Sequence, residues 1–487
     1  MRRLTFLFII PLFFSCSVSK NYNPNKKYSQ EELQADYSLL RNILEEKHPS
    51  LYWYTPKDSM DYYFHEGYKA IADSMTELQF AWKIIAPLTS AIHCGHTSVS
   101  MSKGWSKFLK DKYIPSFPLY VKVWKDTMLV TGNLNEKLDS TIKRGNFITA
   151  INGVKTSEII SVMLDYMVAD GYAENVNYIR LSTGFPYFHR NIFGLYKNYL
   201  VNYSDSNGVE KQAFIPYFAP ASDTVKKIIK ERKKRERRLT YRERIQDVRS
   251  LEIASSTAIM TINKFSKGHL NSFFRRSFRK LRKNEITNLI IDLRANGGGD
   301  INKSVMLTKF IKDQPFRVAD SAYAISNSFR PFNKNISMSF LNNIGLKLVT
   351  HKEKDDKYHF GFWERHVFKP KRKNHYNGKV YVLINGLTFS ASTLFCNTIK
   401  GQENVILAGE ETGGGWYGNS GILIPKIVLP NTKLRVRLPF FRLVQYQHIS
   451  IKGTGVVPDI YIGPDWRDVI NDVDTKLERV SQMISNK

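Results

Sequence analysis

Three segments carry residue types that could do acyl-transfer chemistry. The first is Asp292-Leu-Arg-Ala-Asn296-Gly297-Gly298-Gly299-Asp300, directly after the apolar run Leu289-Ile290-Ile291. Its glycines let the backbone turn sharply and leave N–H groups free to face an anion or a developing oxyanion. A phosphate loop would need a following Gly-Lys-Ser/Thr, and none occurs. The second is Asn385-Gly386-Leu-Thr388-Phe-Ser390-Ala391-Ser392, where an apolar strand runs into a turn and then a helix. Ser390 at the helix start exposes its Oγ, and the helix N-terminus favours developing negative charge. Nucleophilic serines use this geometry, although a serine in that place is also an ordinary helix cap. The third is Gly409-Glu410-Glu411-Thr412-Gly413-Gly414-Gly415, with Gly418-Asn419 behind it.

Together these segments resemble the S41 family of serine peptidases, the tail-specific or C-terminal processing proteases. The family pattern is a "DLR.N.GG" loop, a serine-bearing "T/S-A-S-A-S-E" and a "GE.T.GKG", and Gly455-Val456-Val457-Pro458-Asp459 resembles its closing "GV.PD". The resemblance places the catalytic domain at 251–487 and implies an α/β fold of the ClpP/crotonase type. It implies Ser390 as nucleophile, and an oxyanion hole from the N–H of Ala391 with that of Gly298 or Gly299. It implies a peptide or protein substrate, hydrolysis through an acyl-enzyme, and no metal or organic cofactor. One departure is plain: where the tail-specific branch has its general-base lysine, this sequence has Gly415. His96-Thr97 resembles a "D-G-H-T" segment of the family, and in the tricorn-like branch a histidine from such a region serves the serine. His96 is therefore the expected base, since imidazole accepts and returns a proton near neutral pH. A metal reading of His93, Cys94 and His96 fails, because on a strand His93 points away from the other two and no distant ligand pair completes a site. The tricorn-like branch places a glutamate shortly before "GV.PD", but His448-Ile-Ser450-Ile-Lys452-Gly453-Thr454 has no acid. Glu411 is the substitute candidate for a third catalytic member, or a surface or hydrogen-bonding residue; Asn419 falls where an amide supports the lysine loop. The rival reading from another class is a catalytically retired peptide- or ligand-binding lipoprotein. A third is an esterase using the same serine.

The elements around these residues follow from periodicity. Ser29 with Glu32 fits a capping box opening a helix through Leu33, Tyr37, Leu40 and Leu44, which His48-Pro49 ends. Thr76 with Gln79 opens another, and 29–114 reads as an N-terminal helical domain. From Phe117 the period becomes two, and Ile151-Asn152-Gly153 gives a tight-turn signal. The stretch 115–215 resembles a PDZ domain, which binds extended peptides by strand addition. Beyond a basic linker at 216–250, strands and helices alternate, with Leu270, Phe273, Phe274, Phe278 and Leu281 on one helical face. The expected fold is α+β and multidomain: a helical domain, a PDZ-like β domain and an α/β catalytic domain whose loops at strand ends carry the chemistry.

The chain has 487 residues, 42% hydrophobic and 24% charged, which excludes global disorder. Its 72 Lys+Arg against 44 Asp+Glu give +28, favouring an anionic neighbour. Met1-Arg2-Arg3, an apolar run to Phe14 and Ser15-Cys16 read as a secretory signal over 1–16. Ser15-Cys16 resembles a bacterial lipobox, which implies lipidation at Cys16; the other reading is a plain cleaved signal. Residues 17–28 are polar and read as a tether. Export makes nucleic acid an unfit partner. The expected location is the periplasmic face of a Gram-negative outer membrane, held by the lipid anchor. Lys226–Arg249 has twelve Lys/Arg against four Asp/Glu, a net +8, and is either a solvated linker or a second hold on anionic lipid. Cys94 and Cys396 are expected as buried thiols rather than a disulfide.

Overall fold

The computed structural model describes residues 22–486 apart from 111, 113, 221, 339 and 448–452. The signal segment and Cys16 lie outside the described residues.

The central sheet has six strands in the order Arg249–Ala254, Thr257–Ile262, Asn288–Asp292, Lys379–Ile384, Val405–Gly409, Ile460–Tyr461. The first pair is antiparallel and the rest are parallel, with Ile290 opposite Tyr381 and Val382 opposite Leu407. Parallel strands are covered on both faces, which is why Leu289-Ile290-Ile291 and Val380-Tyr381-Val382-Leu383-Ile384 are apolar without alternation. One face packs on the helix Leu270–Lys283, where the phenylalanine stripe is buried and Phe278 stacks on Phe310 at 4.4 Å. The other face is closed by the C-terminal helix Thr475–Ser485 through Val480. The glycine loop, the serine turn and the Glu410–Gly415 loop all leave the carboxyl ends of adjacent parallel strands, the place where such sheets bind ligands.

Residues 115–217 form a separate antiparallel sheet in the order Leu119–Trp124, Thr127–Asn133, Phe147–Ile151, Asn198–Ser204, Glu210–Pro216. Asn152 and Gly153 have φ of 49° and 82°, the paired positive values of a tight hairpin turn. The helices Thr156–Leu164 and Asn175–Phe193 close its core. The basic segment is mostly helical, Ser222–Arg238 and Tyr241–Gln246, and its end packs on the helix Leu270–Lys283, with the Arg249 guanidinium 4.3 Å from the Phe273 ring.

Both capping boxes form, at Ser29/Glu32 and Thr76/Gln79, and His48 caps the first helix. The N-terminal helices do not close a core of their own. Leu40, Leu44, Phe80 and Ile85 share one with Phe329, Ile336, Leu434, Val436 and Phe440. The strand Val99–Ser100 adds to the sheet edge at Arg435–Arg437, and buried Asp36 accepts hydrogen bonds from the N–H groups of Asn431 and Thr432. The described end of the expected tether also differs: Tyr22 donates to Glu77 at 2.6 Å and lies against Trp105 and Phe108, while Lys27–Tyr28 pairs with Met75–Thr76. Apolar rings and strand pairing outweigh a polar composition there. Cys94 and Cys396 are both free and buried. Among the described residues, no helix is long and apolar enough to cross a membrane.

Candidate active site

Ser390 sits between the strand Lys379–Ile384 and the helix Ala391–Ile399, with φ 55° and ψ −121°. A non-glycine residue holds such a conformation only when its surroundings impose it. Three ties do so here: Phe389 N–H donates to Asn296 O at 3.1 Å, Thr388 Oγ1 donates to Leu293 O at 3.1 Å, and Thr393 Oγ1 donates to Thr388 O at 3.3 Å. The serine turn is thereby pinned to the glycine loop. Ser390 makes no side-chain cap bond to its own helix, unlike an ordinary N-cap serine.

The glycine loop approaches the serine closely. A Cβ on Gly298, whose φ is 97°, would stand 2.7 Å from Ser390 Cβ and 3.0 Å from Ala391 N. The two expected oxyanion glycines differ in role. Gly298 N–H already donates to Asn296 Oδ1 at 2.9 Å. Gly298 C=O accepts from Phe265 N–H at 2.9 Å, so the trans peptide turns Gly299 N–H away from Phe265. Gly299 and Ala391 are left as donors for an oxyanion, and Gly298 supplies the room.

His96 and Ser390 line one cleft of about 380 Å³ together with Gly95, Gly298, Gly299 and Phe389. His96 is buried, and its ring lies 4.9 Å from that of Phe389. The two side chains make no hydrogen bond to each other in this structure. Residues 93–97 form a turn rather than a strand, with His93 at φ 52°. His93 Nδ1 is engaged with Gly171 O at 3.1 Å, and Thr97 Oγ1 with His48 Nε2 at 2.7 Å.

The acid beside His96 is Asp170, which sequence reasoning missed. Its Oδ1 lies 3.9 Å from His96 Nδ1, a nitrogen with no hydrogen-bond partner among the described residues. Asp170 is buried and accepts from Gly95 N–H at 2.8 Å and from Gly415 N–H at 3.4 Å. It stands in the loop before the helix Asn175–Phe193, and Gly171 lets that loop touch the backbone at Gly453: with φ 62°, its Cβ would lie 2.3 Å from Gly453 Cα. The only sequence signal was a lone acid inside the apolar run Met167-Val168-Ala169. Glu411 lies elsewhere. Its Oε1 accepts from Gly455 N–H at 2.5 Å, and burial pushes its carboxyl above the ordinary range. Asn419 is buried, with its Nδ2 unpartnered among the described residues.

The fold that brings Ser390, His96 and Asp170 together has counterparts. Residues 256–462 match the model of peptidase family S41. No curated protein matches the chain. Among solved structures, mature CPAF complexed with lactacystin aligns over 94% of this chain and 99% of its own, at 14% identity and TM-score 0.63. Mature CPAF alone aligns over 91% and 94%, at 12% identity and TM-score 0.58. The α+β multidomain fold is thus shared along nearly the whole chain.

Proposed function

We propose that this protein is an exported serine peptidase that works through an acyl-enzyme on Ser390. Ser390 Oγ attacks the peptide carbonyl as its proton passes to His96. The oxyanion is taken by the N–H groups of Gly299 and Ala391. His96 then protonates the leaving amine, and a water molecule, deprotonated by the same imidazole, releases the acid and restores Ser390. Asp170 faces Nδ1 and steadies the imidazolium. The gap of 3.9 Å is long for a hydrogen bond, and catalytic contacts of this kind tighten when substrate is bound.

One observation carries the reading: a serine at φ 55°, free of its cap bond, shares a cleft with a buried histidine, and a buried acid stands 3.9 Å from that histidine. A phosphonylating probe and a peptide digest test it. Wild type should be labelled at Ser390 and should cut peptides; Ser390→Ala should do neither while remaining folded. A retired binding protein is the second reading, favoured by the unpartnered His96 Nδ1 and the glycine at 415. Wild type that is neither labelled nor active establishes that reading instead.

Export and anchoring belong to the same proposal. They are supported by the basic, apolar and Ser15-Cys16 run of the N-terminus and by the +28 charge. Mass spectrometry of the mature protein should find a diacylglyceryl Cys16 as its first residue. An N-terminus beyond residue 16 removes the anchor. Binding of an unlipidated form to acidic vesicles should fall steeply with salt if Lys226–Arg249 holds lipid head groups.

A further inference from the structure

Two arginines stand in the cleft with Ser390, and no carboxylate lines it. Arg437 comes from the strand Arg435–Arg437, whose last N–H donates to Ser98 O at 3.0 Å. It is half-buried, and among the described residues its guanidinium has neither a hydrogen bond nor an ion pair. Arg180 comes from the helix Asn175–Phe193 and is tied through Nη1 to Val168 O at 2.7 Å and Asn177 Oδ1 at 3.0 Å. The acid that acts on it is Asp170, whose oxygens already serve Gly95, Gly415 and the His96 side. Burial holds both guanidinium groups below the ordinary arginine range, and Arg437 repels Arg180. Two neighbouring cations, of which only Arg180 has an acid acting on it, leave the cleft with an unspent positive charge. A desolvated guanidinium without a partner is costly, and a planar carboxylate accepting its paired N–H groups is the ligand that relieves it.

We propose that Arg437, with Arg180 beside it, holds a carboxylate that the substrate carries next to the bond attacked by Ser390. This rests on the peptidase reading and names the substrate class. The carboxylate belongs either to an Asp or Glu side chain or to the free C-terminus of the peptide; both present the same group to the arginines.

A defined peptide library, with products read by mass spectrometry, locates a cleaved sequence. Four versions of it are then compared: Glu or Gln beside the cut, each with a free or an amidated C-terminus. Wild type should prefer a carboxylate by about tenfold in kcat/KM, the worth of one charge-assisted hydrogen bond. In Arg437→Gln that ratio should collapse toward one, and Arg437→Lys should keep part of it. Preference for Glu with an amidated end assigns a side chain; preference for the free end assigns the terminus. Equal rates in wild type overturn the proposal, as does a ratio unchanged in Arg437→Gln. If Ser390 is unlabelled and nothing is cut, the peptidase reading fails on its own, and binding decides the site. N-acetylglutamate should then bind wild type more tightly than N-acetylglutamine amide, which carries no carboxylate, by calorimetry, and lose that advantage in Arg437→Gln; equal binding overturns it.

Discussion

At position 415 the chain has a glycine where the tail-specific pattern it resembles has a lysine, and the room for a longer side chain is taken. A Cβ there would meet Gly418 O at 2.6 Å, Tyr54 Oη at 3.6 Å and Asp170 Cβ at 3.7 Å. The backbone N–H of that glycine instead reaches Asp170, so the lost base and the gained acid occupy one neighbourhood. Asp170→Asn should therefore lower kcat by about 10²–10⁴ without unfolding the chain, because the amide no longer stabilises an imidazolium. Glu411→Ala should leave kcat within about threefold and cost about 1–3 kcal/mol of stability, since it orphans Gly455 N–H. Kinetics and urea unfolding of the two variants separate these roles; the reverse outcome would restore Glu411 as the acid. Ser390 and His96 stand out in the sequence as candidates because each sits in a short motif of fixed order. Asp170 does not, because its partners come from residues 95–96 and 415, and no local spacing records a contact closed by folding.

Among the elements, the loop Leu293–Asp300 shows how a turn is specified by what it must avoid. Gly298→Ala would force a side chain onto a backbone at φ 97° and within 2.7 Å of Ser390 Cβ. The serine turn, fixed by Asn296 and Leu293, cannot retreat, so turnover should fall by about 10²-fold, as displacements near 1 Å do. The melting temperature should drop only slightly. Retained activity would show that the loop yields. Strand and helix positions in the catalytic domain were readable from apolar runs of strand length and from the 3.6-residue stripe of Leu270–Lys283. The sheet partners of Val99–Ser100 were not, because two residues carry no periodicity.

For the whole molecule, two buried imidazoles set the response to acid. Burial lowers His48 to about 3 and His189 to about 4, from an ordinary value of 6.5. Above pH 6.5 both are neutral whether the chain is folded or not, and their contribution is complete. As pH falls from 6.5 toward 4, the unfolded chain binds protons that the folded chain refuses, so stability declines. Between pH 6.5 and 5 the loss should be roughly 1.5 kcal/mol for each histidine. Urea unfolding at several pH values measures it. His189 stacks on Phe117 at 4.9 Å, and His189→Phe should remove its share of the slope; a flat profile in wild type would contradict both assignments. The sequence divides into successive domains by composition, yet the N-terminal helices share a core with strands more than 300 residues later, and composition cannot show which apolar faces meet. That interleaving has a consequence for biosynthesis. His96, Asp170 and Ser390 emerge in that order, and the Gly453 carbonyl that takes Tyr172 N–H beside Asp170 comes last. A chain still being made holds these parts unassembled, so the site closes in one event, only once the segment around Gly453 has been added.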